Sequence, residues 1–297
     1  MSPNTGANLA AEPMSIHPDT RMGAVRLRVA DLELMAAFYE RAIGLRVINR
    51  REGAVTLGPA GGPALVDLAA DPAAPPRPPR TTGLFHLAIV VPTRPDLARA
   101  LRRVVAADHF LTGASDHFVS EALYLDDPEG NGIELYRDRP RAQWRDPDGG
   151  LRFGTVPLDV RGLAEQPGTD DPPDGMPAGT RMGHVHLQVG DLEEAGDFYV
   201  GTLGFDLMVR IPPALFISAG GYHHHLGLNV FYGEGMPPPP DGALGLHSFD
   251  VVLPDRTEVE RMGERARAAG IAVDEVAGGL ELLDPSRNRL RLTDSGG

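Results

Sequence analysis

A chain that repeats itself at a fixed offset is restricted to folds in which every copy obeys the same local rules and the copies cover one another. Residues 20–45, "TRMGAVRLRVADLELMAAFYERAIGL", return without a gap at residues 180–205, "TRMGHVHLQVGDLEEAGDFYVGTLGF", an offset of 160 in a chain of 297 residues. Met22/Met182, Asp31/Asp191, Phe38/Phe198, Tyr39/Tyr199 and Gly44/Gly204 are identical pairs. Each half also carries a weaker second copy. "GLFHLAIVVPTR" from Gly83 matches "GLHSFDVVLPDR" from Gly245, and "DPEGNGIELY" from Asp127 matches "DPSRNRLRLT" from Asp284. The chain therefore reads as four modules, near 21–70, 83–138, 181–233 and 244–293.

Every module has the same internal order. An alternating strand such as "HVHLQV" comes first, then a helix opened by Asp and closed by Gly, then three short strands separated by Gly or Pro. The pattern is βαβββ, which places the chain in the α+β class. A half-buried four-stranded sheet needs a second sheet over its apolar face, so the modules should pair. The expected organisation is a flexible lead-in over 1–20, an N-terminal half over 21–138, a linker over 139–180 and a C-terminal half over 181–297.

Composition narrows the function. There is no cysteine, so disulfides and thiolate chemistry are excluded and any metal site must be built from His, Asp and Glu. A formal charge of -13 disfavours nucleic acid and points to a small-molecule partner. The first twenty residues have neither a basic start nor a continuous apolar run, and no segment has the length of a membrane span, so the cytoplasm is the expected location.

In "GIELY", Ile133 and Leu135 face one side of a strand while Glu134 and Tyr136 face the other. An unpaired buried carboxylate is destabilising by several kcal/mol or takes up a proton, so Glu134 either lies on a solvated face or meets a cation or donor. His184 and His186 share a strand face in the same way. A single strand histidine is usually a hydrogen-bonded structural residue, and the run His223-His224-His225 also reads as a surface loop.

The doubled βαβββ pattern, with "HVHLQVGDLEEAGDFY", "YHHHLGLN" and "SEALYLDDPEGNGIELYRDRP", resembles the vicinal-oxygen-chelate superfamily of glyoxalases, bleomycin resistance proteins and dioxygenases. Within it the chain is similar to two-domain extradiol ring-cleaving dioxygenases. The resemblance implies two paired, curved mixed-sheet barrels, with metal ligands on the first and last strands of the modules. The first-strand positions hold Ala24, His86, His184 and either His247 or Ser248, and the last-strand carboxylate position holds Glu134 or Arg291. Only modules two and three together supply His86, His184 and Glu134, a two-histidine, one-carboxylate set for Fe(II), with Mn(II) as the alternative ion. His184 is preferred to His186 because it stands seven residues before Asp191, as ligands do in the superfamily.

Carried over in the same manner, His225 would be the acid/base, and Tyr124, ten residues before Glu134, would be a second donor with His117 behind it. The implied substrates are a small aromatic diol and O2, and the implied assembly is a homo-oligomer. Two other readings remain open at this point: a glyoxalase-like isomerase or lyase, which usually supplies two carboxylate ligands, and a non-catalytic protein that sequesters an aromatic compound.

Overall fold

The computed structural model describes residues 15–167 and 175–295. Residues 1–14 of the expected lead-in and 168–174 of the expected linker lie outside the described residues. The first module holds β1 (Arg21–Val29), α1 (Leu32–Phe38), β2 (Arg46–Arg51), β3 (Ala54–Gly58) and β4 (Val66–Ala70). The second holds β5 (Gly83–Val91), α2 (Arg94–Ala106), β6 (Gly113–Asp116), β7 (Ser120–Asp126) and β8 (Gly132–Asp138). Between the halves lie a short strand, β9 (Val156–Pro157), and α3 (Val160–Ala164). The third holds β10 (Arg181–Gln188), α4 (Leu192–Gly196), β11 (Asp206–Ile211), β12 (Ala214–Ser218) and β13 (Leu226–Asn229). The fourth holds β14 (Gly245–Leu253), α5 (Arg256–Ala268), β15 (Asp274–Val276), β16 (Gly279–Leu283) and β17 (Arg289–Asp294).

Helix boundaries follow local chemistry. Asp31, Asp191 and Asp255 accept hydrogen bonds from first-turn backbone N–H groups of α1, α4 and α5, and Thr93 does so for α2. Both α1 and α4 run on into a π-helical turn, Tyr39–Ile43 and Asp197–Thr202. Those turns lead to Gly44 and Gly204, whose φ values of 89° and 79° are left-handed and suit residues without a Cβ.

The strands form two curled mixed sheets, one ordered β15-β16-β17-β14-β1-β4-β3-β2 and the other β11-β12-β13-β10-β5-β8-β7-β6-β9. In each module the first and last strands run parallel, and the two first strands of a sheet, β1 with β14 and β5 with β10, meet antiparallel at its centre. The apolar faces and the helices share a continuous core that includes Val25, Leu87, Val185, Phe249, Tyr39 and Tyr199. Ile16 is buried in it and donates its N–H to the Gly204 carbonyl. The opposite face of each sheet forms a cleft.

In the eight-stranded sheet the cleft is filled by charge. Ser248 pairs with Arg26 as His86 pairs with His186 in the other sheet, so buried Ser248 holds the first-strand position and exposed His247 falls in the adjoining bulge. Arg26 makes a two-pronged contact with Asp250, Nη1 to Oδ1 at 2.5 Å and Nη2 to Oδ2 at 3.0 Å, and its Nε lies 3.4 Å from Asp67. A guanidinium among carboxylates thus supplies the positive charge here, and burial works against it while Asp250 and Asp67 raise its pKa.

Replacing Arg26 by Met would leave Asp250 and Asp67 facing one another without a cation. Removing one partner of a largely buried pair is destabilising by about 3 kcal/mol. Urea unfolding should register that loss, while the divalent-metal content of the purified variant should match the parent.

Candidate metal centre

The nine-stranded sheet gathers a different set in its cleft. His86 stands on β5, Glu134 on β8 and His184 on β10, and the register sets Ala88 directly beside both Glu134 and His184. The methyl group of Ala88 is too short to separate them. The three longer side chains therefore converge: His86 Nε2 to Glu134 Oε2 is 3.1 Å, His184 Nε2 to Glu134 Oε2 is 3.2 Å, and the two Nε2 atoms are 3.2 Å apart. All three residues are buried, and they form the one group of metal-ligand type found among the described residues.

This triangle fits a divalent cation. Atoms bound at about 2.1 Å and at right angles to one another are separated by about 3.0 Å, close to the three observed spacings. Two imidazoles with one carboxylate form a facial set that leaves other positions of an octahedron open. Burial by itself would push the Glu134 carboxyl up, but His184 and His86 outweigh it and hold it well below the usual carboxylate range. Burial lowers His184 to about 4, against the opposing pull of Glu134. At neutral pH Glu134 is an anion and His184 a neutral imidazole, the protonation state a metal requires of each.

Glycine and tyrosine shape the floor. A Cβ on Gly183 would fall 1.8 Å from the Tyr136 hydroxyl, so only glycine lets that ring lie across β10. Gly227 likewise leaves room for His186, whose ring a Cβ there would approach to 2.8 Å. His186 is buried 4.8 Å from the His86 ring, its Nε2 has no protein partner, and it belongs to an aromatic wall with Phe85, Phe216 and Phe231. His86, Phe85 and Tyr124 open onto a cavity of about 770 Å³ whose rim includes Arg77 and Tyr232.

Tyr124 pairs across the sheet with Glu134, and its hydroxyl lies 2.8 Å from His117 Nε2. His117 Nδ1 is 3.0 Å from the Gly154 carbonyl, which can only accept, so the proton sits on Nδ1 and Nε2 accepts from Tyr124. Burial and the Glu134 charge push the Tyr124 phenol well above its ordinary value.

The histidine run divides unexpectedly. His224 presses its ring against His184 at 4.1 Å and against Phe216 at 5.1 Å. His225, the residue to which the resemblance gives the acid/base role, instead turns to Tyr222 at 4.9 Å, and its Nδ1 accepts from the Ala219 N–H and lies 3.0 Å from the Ser218 hydroxyl. The chain leaves regular strand geometry before Leu226, where β13 begins, so strand alternation no longer decides which ring faces the cleft. His223 binds Asp138 through Nε2 at 2.8 Å and is covered by Trp144. Asp138 and Tyr222 were given no role from sequence, and His223 entered only as part of the histidine run. The signal for Asp138 is that it follows Glu134 by four residues at the end of the same strand.

The sequence profile of the Glyoxalase/Bleomycin resistance protein/Dioxygenase superfamily matches residues 21–135 and 181–292. The chain belongs to this superfamily. Among curated relatives it is 42% identical over 276 residues to a catechol-2,3-dioxygenase of Bacillus subtilis (strain 168), covering 91% of this chain and 96% of that protein. A crystal structure from Bacillus subtilis subsp. subtilis str. 168 superposes with a TM-score of 0.68 at 14% identity, over 95% of this chain and 87% of that one. Glyoxalase I from Zea mays gives a TM-score of 0.57 at 18% identity, over 93% and 92%. These two structural likenesses establish the superfamily fold and nothing finer. No helix of the described residues is long and apolar enough to cross a membrane.

The buried histidines make the metal-free protein acid-sensitive. Burial lowers His184 to about 4 and His225 to about 3, and holds His186 and His224 well below 6.5. As pH falls below 6.5 the unfolded chain therefore takes up protons that the folded chain refuses, and stability is lost. Asp127 and Asp284, raised to about 6 by burial, act in the opposite sense, but they are two groups against four. The urea midpoint of the metal-free protein should fall between pH 7 and pH 4.5.

Proposed function

We propose that this protein is an extradiol dioxygenase that opens a catechol-type ring next to the diol, with His86, His184 and Glu134 holding Fe(II). The observation that carries this reading is the buried triangle of two Nε2 atoms and one carboxylate oxygen. The 42% identity to a catechol-2,3-dioxygenase supports it. The working pair of modules is 83–138 with 181–233. The remaining pair is structural, with Arg26 occupying the cleft where a second ion would otherwise lie. The setting we infer is aromatic catabolism in the cytoplasm, by a homo-oligomer.

Held by His86, His184 and Glu134, Fe(II) would supply the redox coupling between the electron-rich diol and O2. The chain supplies the rest. Phe85, Phe216, Phe231 and His186 form an apolar wall that excludes water and can stack against the ring. Tyr124, whose proton is held by His117 Nε2, places its oxygen beside Glu134, and the pair would act as a relay in which a second proton on His117 frees the Tyr124 O–H to donate at the reacting end of the cavity. The acid/base role that the resemblance gives to His225 fits its neighbour His224 better, because the His224 ring packs directly on His184.

Anaerobic loading with Fe(II), followed by catechol and air, tests the reading: O2 uptake should accompany a coloured ring-opened product. Accumulation of a glyoxalase-type thioester product from a hemithioacetal instead, or binding of catechol without O2 uptake, would replace this reading with one of its rivals.

Glu134→Ala removes the only anionic ligand, and both metal content after dialysis and activity should collapse together. For His224→Gln the expectation is near-normal metal with turnover reduced about 10²–10⁴-fold, the range of a positioned acid/base. His225→Gln should lower turnover far less. A larger loss at His225 than at His224 would return the role to His225.

A further inference from the structure

Behind His224 the chain builds a hydrogen-bonded line that leads away from the triad to the rim of the sheet. Asp138 Oδ1 lies 2.8 Å from His223 Nε2, and His223 Nδ1 lies 2.9 Å from His224 Nδ1. A carboxylate only accepts, so His223 carries its proton on Nε2. A neutral imidazole has one N–H, which leaves His223 Nδ1 as an acceptor. The proton between the two rings must then come from His224 Nδ1. His224 Nε2 is left with a lone pair.

We propose that Asp138 and His223 are positioning residues that lock His224 into the Nδ1-protonated tautomer, so that its Nε2 is free to accept a proton from the substrate diol. The proposal rests on the dioxygenase reading above. In the step, a catechol O–H bond breaks, its electron pair stays on the oxygen, and an N–H bond forms at His224 Nε2. The resulting imidazolium is steadied through His223 by the Asp138 carboxylate, which keeps its own charge and takes no proton.

The line is held rigidly. His223 is fully buried, with Tyr222 at 4.1 Å and a 32° tilt on one side and Trp144 at 5.1 Å on another. Tyr222 donates to Asp138 at 3.0 and 3.2 Å, which obliges Tyr136 to donate its own hydroxyl proton to Tyr222 at 2.7 Å. Arg181 lies 3.5 Å from Asp138 Oδ2. Donors therefore converge on Asp138 from both sides, Tyr136 to Tyr222 to Asp138 and His224 to His223 to Asp138, and the His224 arm ends in an acceptor nitrogen.

The tautomer is directly measurable. In ¹⁵N-histidine NMR of the full chain loaded with diamagnetic Zn(II), the His224 signals, assigned by their loss in His224→Gln, should show a protonated Nδ1 and an unprotonated Nε2. Asp138→Ala should abolish that preference and lower kcat for catechol in the Fe(II) enzyme by about 10- to 100-fold, with KM and metal content unchanged. His223→Phe keeps the ring packed against Trp144 and Tyr222 while removing both nitrogens, and should do the same. A wild-type His224 protonated on Nε2, or full kcat in both variants, would overturn the proposal. Wild-type protein with the expected tautomer but no ring cleavage would overturn the dioxygenase reading and uphold the hydrogen-bond assignment.

Discussion

The antiparallel pairing of β5 with β10 is the contact on which the rest of the structure depends. It joins two modules that are far apart in the chain and places His86 opposite His186, with His184 opposite Ala88. The parallel pairing of β5 with β8 then sets Glu134 beside the same alanine. Strand side chains alternate faces, so a slip of one residue at either pairing would send a ligand into the apolar core and a core residue into the cleft. The core side is intolerant of such a slip, because Leu87, Val185 and Ile133 are buried there at full density. Hydrophobic packing on one face of the sheet thus determines the spacing of polar atoms on the other.

The two sheets answer the same electrostatic problem differently. A curved sheet surrounded by helices encloses a cleft of low dielectric, and carboxylates placed there need positive charge. In one sheet Arg26 provides it from within the chain, held by Asp250 and Asp67. In the other, one carboxylate and two imidazoles point at a common centre. A guanidinium is a permanent part of the fold, whereas an ion with open positions can exchange its remaining ligands. In the function proposed above, chemistry belongs to the second arrangement and the first serves to close the molecule.

Six histidines are buried around that centre: His86, His184, His186, His223, His224 and His225. Burial keeps most of the set neutral, because charging several imidazoles within a few ångströms of one another would add mutual repulsion to the desolvation penalty. They differ in what else they touch. His184 and His86 point nitrogen at a carboxylate, His186 faces an aromatic wall, His225 caps a turn, and His223 links a surface carboxylate to His224. The same residue type therefore meets a carboxylate, an aromatic wall, turn backbone or a second imidazole according to its neighbours.

The repeat at an offset of 160, the Asp-capped helices, the Gly stops and the alternating strands were legible because each depends on neighbours within a few positions. Strand alternation set Glu134 apart from Ile133 and Leu135 and grouped His184 with His186, while the resemblance to the superfamily implied His86, His184 and Glu134 as the set and left modules one and four without a complete one. Other features were decided only in three dimensions. Which ring of His224 and His225 meets the cleft depends on irregular backbone before β13, where no periodicity applies. The part played by Trp144 depends on residues after β8 folding back over His223, and the roles of Asp138 and Tyr222 depend on their meeting across 84 positions of sequence. Local backbone chemistry repeats wherever its residues repeat, so sequence determines it; a hydrogen bond between distant side chains exists only where packing brings both atoms within about 3 Å, and that was settled by the tertiary structure.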